Sequence, residues 1–445
     1  MMDPARYALW NSPSMRSYLE NLSPDKLLVE GKGTRVRDAG GRWYLDARSG
    51  LWNVSLGYDH PRLTAAIERQ LRTLPYTNLQ AYGRPAAVAL EAAERIVAHM
   101  PDGYGKIRFA SNGAQAVETA VLLSRYLRRV EGAPERTAVF GLWRQFHGFG
   151  ATAGALTGLP YLHHQSGALI PDVMHARGPF APVAADQIED LPRMITDYGP
   201  ERVTAVVLEP VVGEGGHVLG ADYLRELGDF CRRHDIHIIM DEVTTSMGRV
   251  GAFTRTEQVG AAPDIITLGK CLTGGYAALS ALVLSDRIYA RLEEASQTRP
   301  FFTGSTNDGH PLALAAAIAV VDELADGETL AGVRARGARL RELLDELARS
   351  RPEITAVRGT GLMHAVEFAQ PEGAPWESFR VNALRLAAEA RGVLLSNLAM
   401  VPAIMVIPPL IVDDGELEEI VTAIDGGLDD LASGRVVADP AKGIW

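Results

Sequence analysis

IIMDEV at residues 238–243 is an apolar run that ends in two adjacent carboxylates, Asp241 and Glu242. A short apolar run is typical of a buried β-strand. In open α/β sheets ligands bind beyond the carboxyl ends of the strands, so Asp241 lies where a ligand is expected. PDIITLGK at residues 263–270 predicts a second buried strand, and it ends at Lys270. The two runs predict an α/β fold with polar side chains at the ends of its strands.

The surrounding sequence continues this α/β pattern. From about residue 46 to residue 300, β-rich runs alternate with helical ones, which predicts a mostly parallel sheet with crossover helices. We expect an N-terminal segment (1–45), a large domain (46–311), a smaller α+β C-terminal domain (312–434) and a tail (435–445). The predicted strands are Ile107–Ala110, Ala138–Gly141, Ala205–Glu209, Ile236–Asp241, Ile265–Leu268 and Ser280–Leu284. The predicted helices include Ala114–Arg129, Tyr223–His234 and Leu312–Leu324.

Composition and charge narrow the range of partners. The chain has 445 residues, 47% of them hydrophobic, and a net charge of −11. Nucleic acids and anionic membranes attract basic surfaces, so this acidic chain favours a small-molecule substrate. Cys231 and Cys271 cannot build a disulfide framework and have no metal-ligand spacing, so no metal site is expected. The absence of a signal-peptide pattern and of a bilayer-length apolar run favours a cytoplasmic protein without a membrane segment.

Lysine is rare in this sequence, and Lys270 is the only lysine between Lys106 and Lys442. Of the 44 basic residues, five are lysines and the others are arginines. A guanidinium can bind an anion but does not condense with an aldehyde, so the isolated lysine favours amine chemistry. An ammonium at the end of an apolar strand is also costly to bury unless it is paired or used covalently.

A third segment predicts an anion-binding turn. ASNGAQAVETA at residues 110–120 predicts a strand end, a turn of small residues and a helix start, where backbone N–H groups can meet an anion. Lys270, Asp241 and the turn at Gly113 together fit a phosphorylated aldehyde that carries a basic ring nitrogen. Lys270 would bond to the aldehyde, Asp241 would keep the ring nitrogen protonated, and the turn would bind the phosphate.

Several separated motifs occur in the order known from one enzyme family. They are LW at 51–52, FHG at 146–148, EPVVGEGG at 209–216, DEVTTSMGRVG at 241–251, LGKCLTGGY at 268–276, and GST at 304–306 ahead of HP at 310–311. Over about residues 30–430 the chain resembles the class III (omega) aminotransferases, which use pyridoxal 5′-phosphate (PLP) and have PLP fold type I. The resemblance implies a large domain with a mostly parallel central sheet, a smaller α+β domain and a homodimer with shared active sites.

The resemblance also implies a role for each matched position. Lys270 matches the Schiff-base lysine, and Asp241 matches the partner of the ring nitrogen. Phe146 would stack on one face of the cofactor ring, and Val243 would pack against the other. Thr306 matches a threonine that reaches the phosphate in the neighbouring subunit. The other matched cofactor-binding positions are Gly113, Ala114, His147 and Glu209.

Two aromatic positions keep an alternative explanation. Without the resemblance, Phe146 is more readily explained as a core residue. Trp52 matches a pocket wall of the amine–pyruvate members, and a buried aromatic on an early strand explains it equally well.

Other positions depart from the family pattern. Ala114 stands where a serine usually donates to the phosphate, which predicts a modestly weaker hold on the cofactor or compensation by Ser111 or a water. Thr244 replaces a glutamine of many members, Ser246 replaces a glycine, and Asn307 replaces a tyrosine.

Three positions where relatives carry carboxylate-binding arginines are apolar here, namely Phe149, Leu398 and Met405. An arginine–carboxylate pair is bidentate, and no aliphatic side chain replaces it. We therefore expect a substrate pocket in which one reaction partner lacks a free α-carboxylate. Glu214 would then meet a cationic group, unless Arg84 or Arg249 pairs with it.

The predicted activity is amino transfer between a primary amine or amino acid and a ketone or aldehyde. The apolar positions resemble those of enzymes in natural-product pathways, including ones that aminate a modified peptide. Racemases and decarboxylases of the same fold share the residues named above, and only the reaction products separate them. A regulator that senses PLP would need a DNA-binding segment, and the first 45 residues are too short and not basic enough for one.

Overall fold

The computed structural model describes residues 24–79, 83–167, 169–180, 191–369, 379–398 and 401–436. These residues form two compact units. The larger unit contains the described residues among 61–213 and 217–330, and the smaller unit contains those among 1–60, 214–216 and 331–445. The domain boundaries expected from the sequence, at 46, 312 and 435, stay a prediction.

The strands are numbered here in chain order. Those before residue 300 are β1 (Leu28–Lys32), β2 (Arg35–Asp38), β3 (Trp43–Asp46), β4 (Lys106–Ala110), β5 (Ala138–Leu142), β6 (Val173–Ala176), β7 (Val203–Leu208), β8 (His237–Glu242), β9 (Ile265–Leu268) and β10 (Ser280–Leu284). Those after it are β11 (Ile354–Thr360), β12 (Met363–Phe368), β13 (Val393–Leu394), β14 (Ser396–Asn397) and β15 (Ala403–Val406).

A seven-stranded sheet forms the centre of the larger unit, in the order β4-β10-β9-β8-β7-β5-β6. β10 is antiparallel to both of its neighbours, and the other neighbouring strands are parallel. Every residue of β5, β7, β8, β9 and β10 is buried. Strands covered on both faces have continuous apolar sequences, which is why these five are predicted from the sequence. β6 is not predicted, because it is a short edge strand with mostly half-buried residues.

Helices connect and cover these strands. The nearly completely buried helix Pro311–Leu324 packs against Pro61–Thr73 and Ala87–Val97. No helix among the described residues is long and apolar enough to cross a membrane. The other helices of the larger unit are Gly113–Val130, Ala151–Leu156, Pro160–Ser166, Leu191–Tyr198, Ala221–Arg233, Arg255–Val259 and Asp286–Ser296. Short 3-10 turns lie at Pro24–Lys26, Pro200–Arg202 and Lys270–Thr273.

The smaller unit contains two four-stranded sheets, in the orders β1-β2-β3-β13 and β11-β12-β15-β14. β13 pairs in parallel with β3, with Val393 opposite Leu45, so both ends of the chain contribute to one sheet. The helices Phe379–Ala390 and Asp414–Ala432 pack against each other. A short helical segment, Ser49–Trp52, follows β3. The boundary between the two units falls within the long helix Glu328–Ser350.

Candidate active site

Asp241 and Lys270 lie at the carboxyl edge of two neighbouring parallel strands. Asp241 on β8 is opposite Thr267 on β9, and Lys270 follows the end of β9 after a single glycine. The backbone of Lys270 has a φ of +43°. A residue with a Cβ adopts this left-handed conformation only at a cost, and such strain is concentrated at functional sites.

The amine of Lys270 is held among polar groups. Its Nζ donates to Thr244 Oγ1 over 2.5 Å. Removal of the amine from solvent lowers the pKa of Lys270, and the carboxylates of Glu209 and Asp241 oppose that shift. A lysine with a lowered pKa carries more of the neutral, nucleophilic amine near neutral pH.

Asp241 is buried and accepts hydrogen bonds on both carboxylate oxygens. Its Oδ1 accepts from Thr267 Oγ1 at 2.9 Å and from the backbone N–H of Val243 at 3.1 Å. Its Oδ2 lies 2.7 Å from His147 Nδ1. These contacts fix the direction in which the carboxylate points. Thr267 is not predicted as a functional residue, because only the register of β8 and β9 brings it to Asp241.

His147 has one ring nitrogen that remains without a partner among the described residues. Its Nε2 is buried and makes no hydrogen bond to them. Its backbone N–H donates to Thr157 Oγ1 at 2.9 Å, which anchors the loop after β5. A buried polar atom without a partner is costly, so it is a place where a bound group can form an additional contact.

Val243 links the anion-binding turn to the lysine. A Cβ atom added at Gly113 or at Gly269 would lie 3.0 Å from Val243 Cγ1. Only glycine therefore fits without displacement on either side of this valine. The contact brings the turn after β4 and the residue before Lys270 together at the same edge of the sheet.

The helix Gly113–Val130 begins at the predicted turn. Asn112 caps it, and its side chain accepts from the backbone N–H of Gln115 at 3.0 Å. Other N–H groups of the first turn, including those of Gly113 and Ala114, have no acceptor within the helix. Ala114 packs closely against Gly148, where an added Cβ would lie 2.4 Å from the alanine Cβ. The helix start thus has the geometry of an anion-binding site.

Phe146 is half-buried and is oriented by a buried glutamate. Its backbone N–H donates to Glu209 Oε2 at 2.9 Å, and Glu209 Oε1 accepts from the backbone of Gly213 at 3.4 Å. Burial raises the pKa of Glu209 above its ordinary value; the neighbouring His147 lowers this pKa, and the carboxylate of Asp241 raises it further. Both carboxylate oxygens of Glu209 accept from the protein backbone, and direct contact with a cofactor stays a prediction.

Phe149 and Thr306 lie at the surface of the larger unit. Phe149 is 72% exposed, and its ring packs edge-on against Phe146 with centroids 5.2 Å apart. Thr306 is exposed, and its carbonyl accepts from Tyr76 Oη and Asn78 Nδ2, each at 2.8 Å. The exposure leaves the Thr306 side chain accessible to another molecule.

The other substrate-pocket residues predicted from the sequence belong to the smaller unit. Trp52 has a φ of +66°, and its indole Nε1 donates to Ser396 Oγ at 3.3 Å. Ser396 pairs with Met405 across β14 and β15. Met405, Leu398 and Glu214 are buried, with 0%, 2% and 9% exposure. Burial of this degree also suits core packing, and their place in a substrate pocket stays a prediction.

Comparison with known proteins identifies the family. The sequence profile of the class-III aminotransferases matches residues 20–428. The chain belongs to the class III aminotransferases. A solved omega transaminase from Pseudomonas jessenii in complex with PMP shares 28% identity with this chain at a TM-score of 0.90, over 96% of this chain and 97% of that one. These findings confirm a PLP-dependent enzyme of PLP fold type I, with a large parallel-rich sheet and separate smaller sheets.

Similar class III aminotransferases differ in their named substrates. A putrescine–pyruvate aminotransferase from Pseudomonas aeruginosa is 29% identical over 92% of this chain and 91% of its own length. An acetylornithine aminotransferase from Caldanaerobacter subterraneus is 33% identical over 91% and 95%. An omega-aminotransferase from Caulobacter vibrioides is 30% identical over 90% and 92%. Such similar identities to enzymes with different substrates indicate the reaction class and leave the substrate open.

Proposed function

We propose that this class III aminotransferase uses Lys270 as its Schiff-base residue and exchanges an amino group between a primary amine or amino acid and a ketone or aldehyde. The observation that carries the proposal is the lysine amine itself. Its pKa is lowered by removal from solvent, its backbone is strained, and it follows the strand adjacent to Asp241. Lowered lysine pKa values and strained backbone are both concentrated at functional sites, which supports the assignment.

The residues at this edge fit PLP. When bound, PLP supplies an aldehyde carbon that bonds to amines and a ring that withdraws electrons from the bond to be broken. We assign Asp241 to the ring nitrogen, and its three donors support this by fixing the carboxylate. The helix start at Gly113 would hold the phosphate. Phe146 and Val243 would contact the two faces of the ring.

Lys270 also serves as the proton-transfer group. With PLP and substrate bound, Nζ would accept a proton from the substrate carbon and later return one, acting as base and then as acid. The lowered pKa favours the neutral amine needed for the first step. Thr244 Oγ1, which accepts from Nζ, would hold the amine close to the reacting atoms.

Substrate choice follows from the apolar positions Phe149, Leu398 and Met405. An aliphatic or aromatic side chain cannot replace an arginine as the partner of a carboxylate. We therefore infer that one substrate lacks a free α-carboxylate and that Glu214 meets a cationic group. Roles in natural-product biosynthesis and in the cytoplasm stay predictions from the sequence.

The active enzyme would be a homodimer with shared sites. The exposed side chain of Thr306 supports this, since a threonine that binds the phosphate of another subunit must be accessible from outside its own. Sedimentation velocity of the PLP-loaded enzyme, combined with activity of each fraction, tests the inference. A fully active monomer would contradict it.

A panel of amine donors tests the proposed reaction. Donors are mixed with PLP-loaded enzyme, conversion to the amine form of the cofactor is followed by absorbance, and products are identified by mass spectrometry and chiral chromatography. We expect a ketone or aldehyde to form from the donor. Release of carbon dioxide, or inversion of the donor without amino transfer, would instead indicate a decarboxylase or a racemase.

A further inference from the structure

Asp308 is a buried carboxylate that the proposed chemistry does not use. Asp308 is 2% exposed. Oδ1 accepts from Ser305 Oγ at 2.6 Å and from Ser111 Oγ at 3.0 Å. Oδ2 accepts from the backbone N–H of Ser305 at 2.9 Å. Gln115 Nε2 donates to both oxygens, at 3.0 and 3.3 Å, and the guanidinium of Arg108 lies 4.0 Å away.

Asp308 joins two segments that are far apart in the sequence. Ser111 and Gln115 belong to the turn and first helical turn at the proposed phosphate site, and Gln115 Oε1 also accepts from the backbone N–H of Ser111 at 3.0 Å. Ser305 immediately precedes Thr306, the residue proposed to reach the partner subunit. A single carboxylate therefore holds the turn after β4 against the Ser305–Thr306 loop.

The same contacts use the hydroxyl protons of both serines. Ser111 Oγ and Ser305 Oγ lie 2.7 Å apart, and both face Asp308 Oδ1. Each hydroxyl has one proton. The carboxylate and the neighbouring hydroxyl accept these protons, so neither serine directs a donor toward an anion. This arrangement disfavours the expectation that Ser111 compensates for the alanine at position 114.

We propose that Asp308 is a positioning residue for phosphate binding. It fixes the turn at Gly113 in its own subunit and the loop that presents Thr306 to the partner subunit. Each phosphate is then bound by backbone N–H groups of one subunit's turn and by the threonine of the other subunit, rather than by Ser111. The inference rests on the proposed function, because the phosphate of PLP is the anion that would occupy this turn.

Cofactor titration tests the role of Asp308. Apoenzyme is titrated with PLP and, separately, with pyridoxal, which lacks the phosphate, and binding is followed by absorbance. Asp308→Ala is expected to weaken PLP binding by ~10- to 100-fold, the effect of losing one or two hydrogen bonds to a charged group. Pyridoxal binding is expected to stay unchanged. Asp322→Ala is the matched control, because Asp322 forms an exposed ion pair with Arg95 in the same unit.

A charge exchange provides a second, independent measurement. Gln115→Glu places two carboxylates against each other, and Asp308→Asn replaces one of the two oxygens that accept from the Gln115 amide with a donor. Each single change is expected to weaken PLP binding. The double variant Gln115→Glu/Asp308→Asn restores a carboxylate–amide pair and should recover much of the lost affinity.

The outcomes separate this inference from the proposed function. Unchanged PLP affinity in Asp308→Ala, or an equal loss for PLP and pyridoxal, would overturn the positioning role. If that variant does not fold, failure of the double variant to bind PLP better than Gln115→Glu overturns it. Borohydride reduction that attaches PLP to a lysine other than Lys270 would instead remove the proposed function.

Discussion

Two regions of the molecule use their buried residues differently. One is the carboxyl edge of the seven-stranded sheet, and the other is the small sheet of β11, β12, β14 and β15. At the first, polar groups bond to one another, as His147 and Thr267 do with Asp241. At the second, Met405 is apolar and completely buried, at a position where the family resemblance predicts an arginine. The difference separates a region whose buried groups depend on one another for hydrogen bonds from a region whose buried groups are held by apolar packing.

This difference has an energetic basis. A buried polar group is costly unless it is hydrogen-bonded, so the partners around Asp241 are constrained together. An apolar position in a small sheet has no such requirement and can change size without leaving a charge unpaired. We therefore expect changes at the first region to affect turnover and changes at the second to affect selectivity.

The largest effect is expected from Lys270→Ala. Loss of the amine that bonds to PLP and transfers the proton should reduce turnover by ~10⁴-fold. Borohydride should no longer attach the cofactor to the protein, as peptide mass mapping can check. Lys106→Ala is the matched control, since Lys106 is exposed and lies over the Tyr289 ring. Normal turnover in Lys270→Ala would show that the chemistry lies elsewhere.

Asp241→Asn should have the next largest effect. A neutral amide does not keep the ring nitrogen protonated, so turnover should fall by ~100- to 1,000-fold while PLP still binds. Rapid-quench measurement of a single half-reaction checks this. Asp264→Asn serves as control, because Asp264 is a buried carboxylate that accepts from Ile238 N at 2.9 Å, immediately before β9. A similar loss of turnover per folded molecule in both variants would show that the Asp241 effect comes from general disruption of the sheet and not from the ring nitrogen.

A smaller effect, on kcat/KM, is expected when the ketone that accepts the amino group lacks a carboxylate. A buried carboxylate without a cationic partner costs several kcal/mol, so methyl ketones should match or exceed the corresponding 2-keto acids in kcat/KM. Arg84 is exposed, and Arg255 donates to Gln258 at 2.9 Å and has a pKa lowered by burial. A strong preference for keto acids that disappears on replacing either arginine would show that the carboxylate site has moved.

The smallest expected effect concerns the pH dependence of stability. Burial lowers the pKa of His364 on β12 and of His175 on β6 to about 4. In the unfolded chain each of these histidines binds a proton as the pH falls below 6.5, whereas in the folded chain it stays neutral. The contribution of the neutral histidine to the free energy of unfolding is therefore fully present above pH 6.5. It decreases as the pH falls toward 4, by about 2 kcal/mol per histidine between pH 7 and pH 5.

His364→Gln isolates this effect in the smaller unit. The larger unit also contains Glu209, whose pKa is raised by burial. Its contribution to the free energy of unfolding has the opposite pH dependence, because it is present below pH 4.5 and is lost as the pH rises toward 7. Urea unfolding at pH 7 and pH 5 should show a reduced pH dependence in His364→Gln. An unchanged pH dependence would mean that His364 is already protonated or solvated in the folded protein.

The sequence predicts the strands that lead to the proposed reaction centre better than it predicts the elements around them. β8 and β9 are continuous apolar runs because both of their faces are covered, and ligand-binding residues follow strand ends, so Asp241 and Lys270 can be located from the sequence. Pairing of β13 with β3 cannot be predicted in this way, because it joins segments from opposite ends of the chain. Asp308 is missed for the same reason, since its partners come from separate loops.

The position of β4 at the edge of the seven-stranded sheet has a consequence for folding. β4 leads into the proposed phosphate site, and its neighbour in the sheet is β10, with Ala110 opposite Ser280. A nascent chain that ends before Ser280 therefore lacks the strand that holds this part of the site in place. Contacts between distant segments form late because a long loop must close first. We therefore expect the proposed phosphate site to form late in the synthesis of this protein, after most of the larger unit has been made.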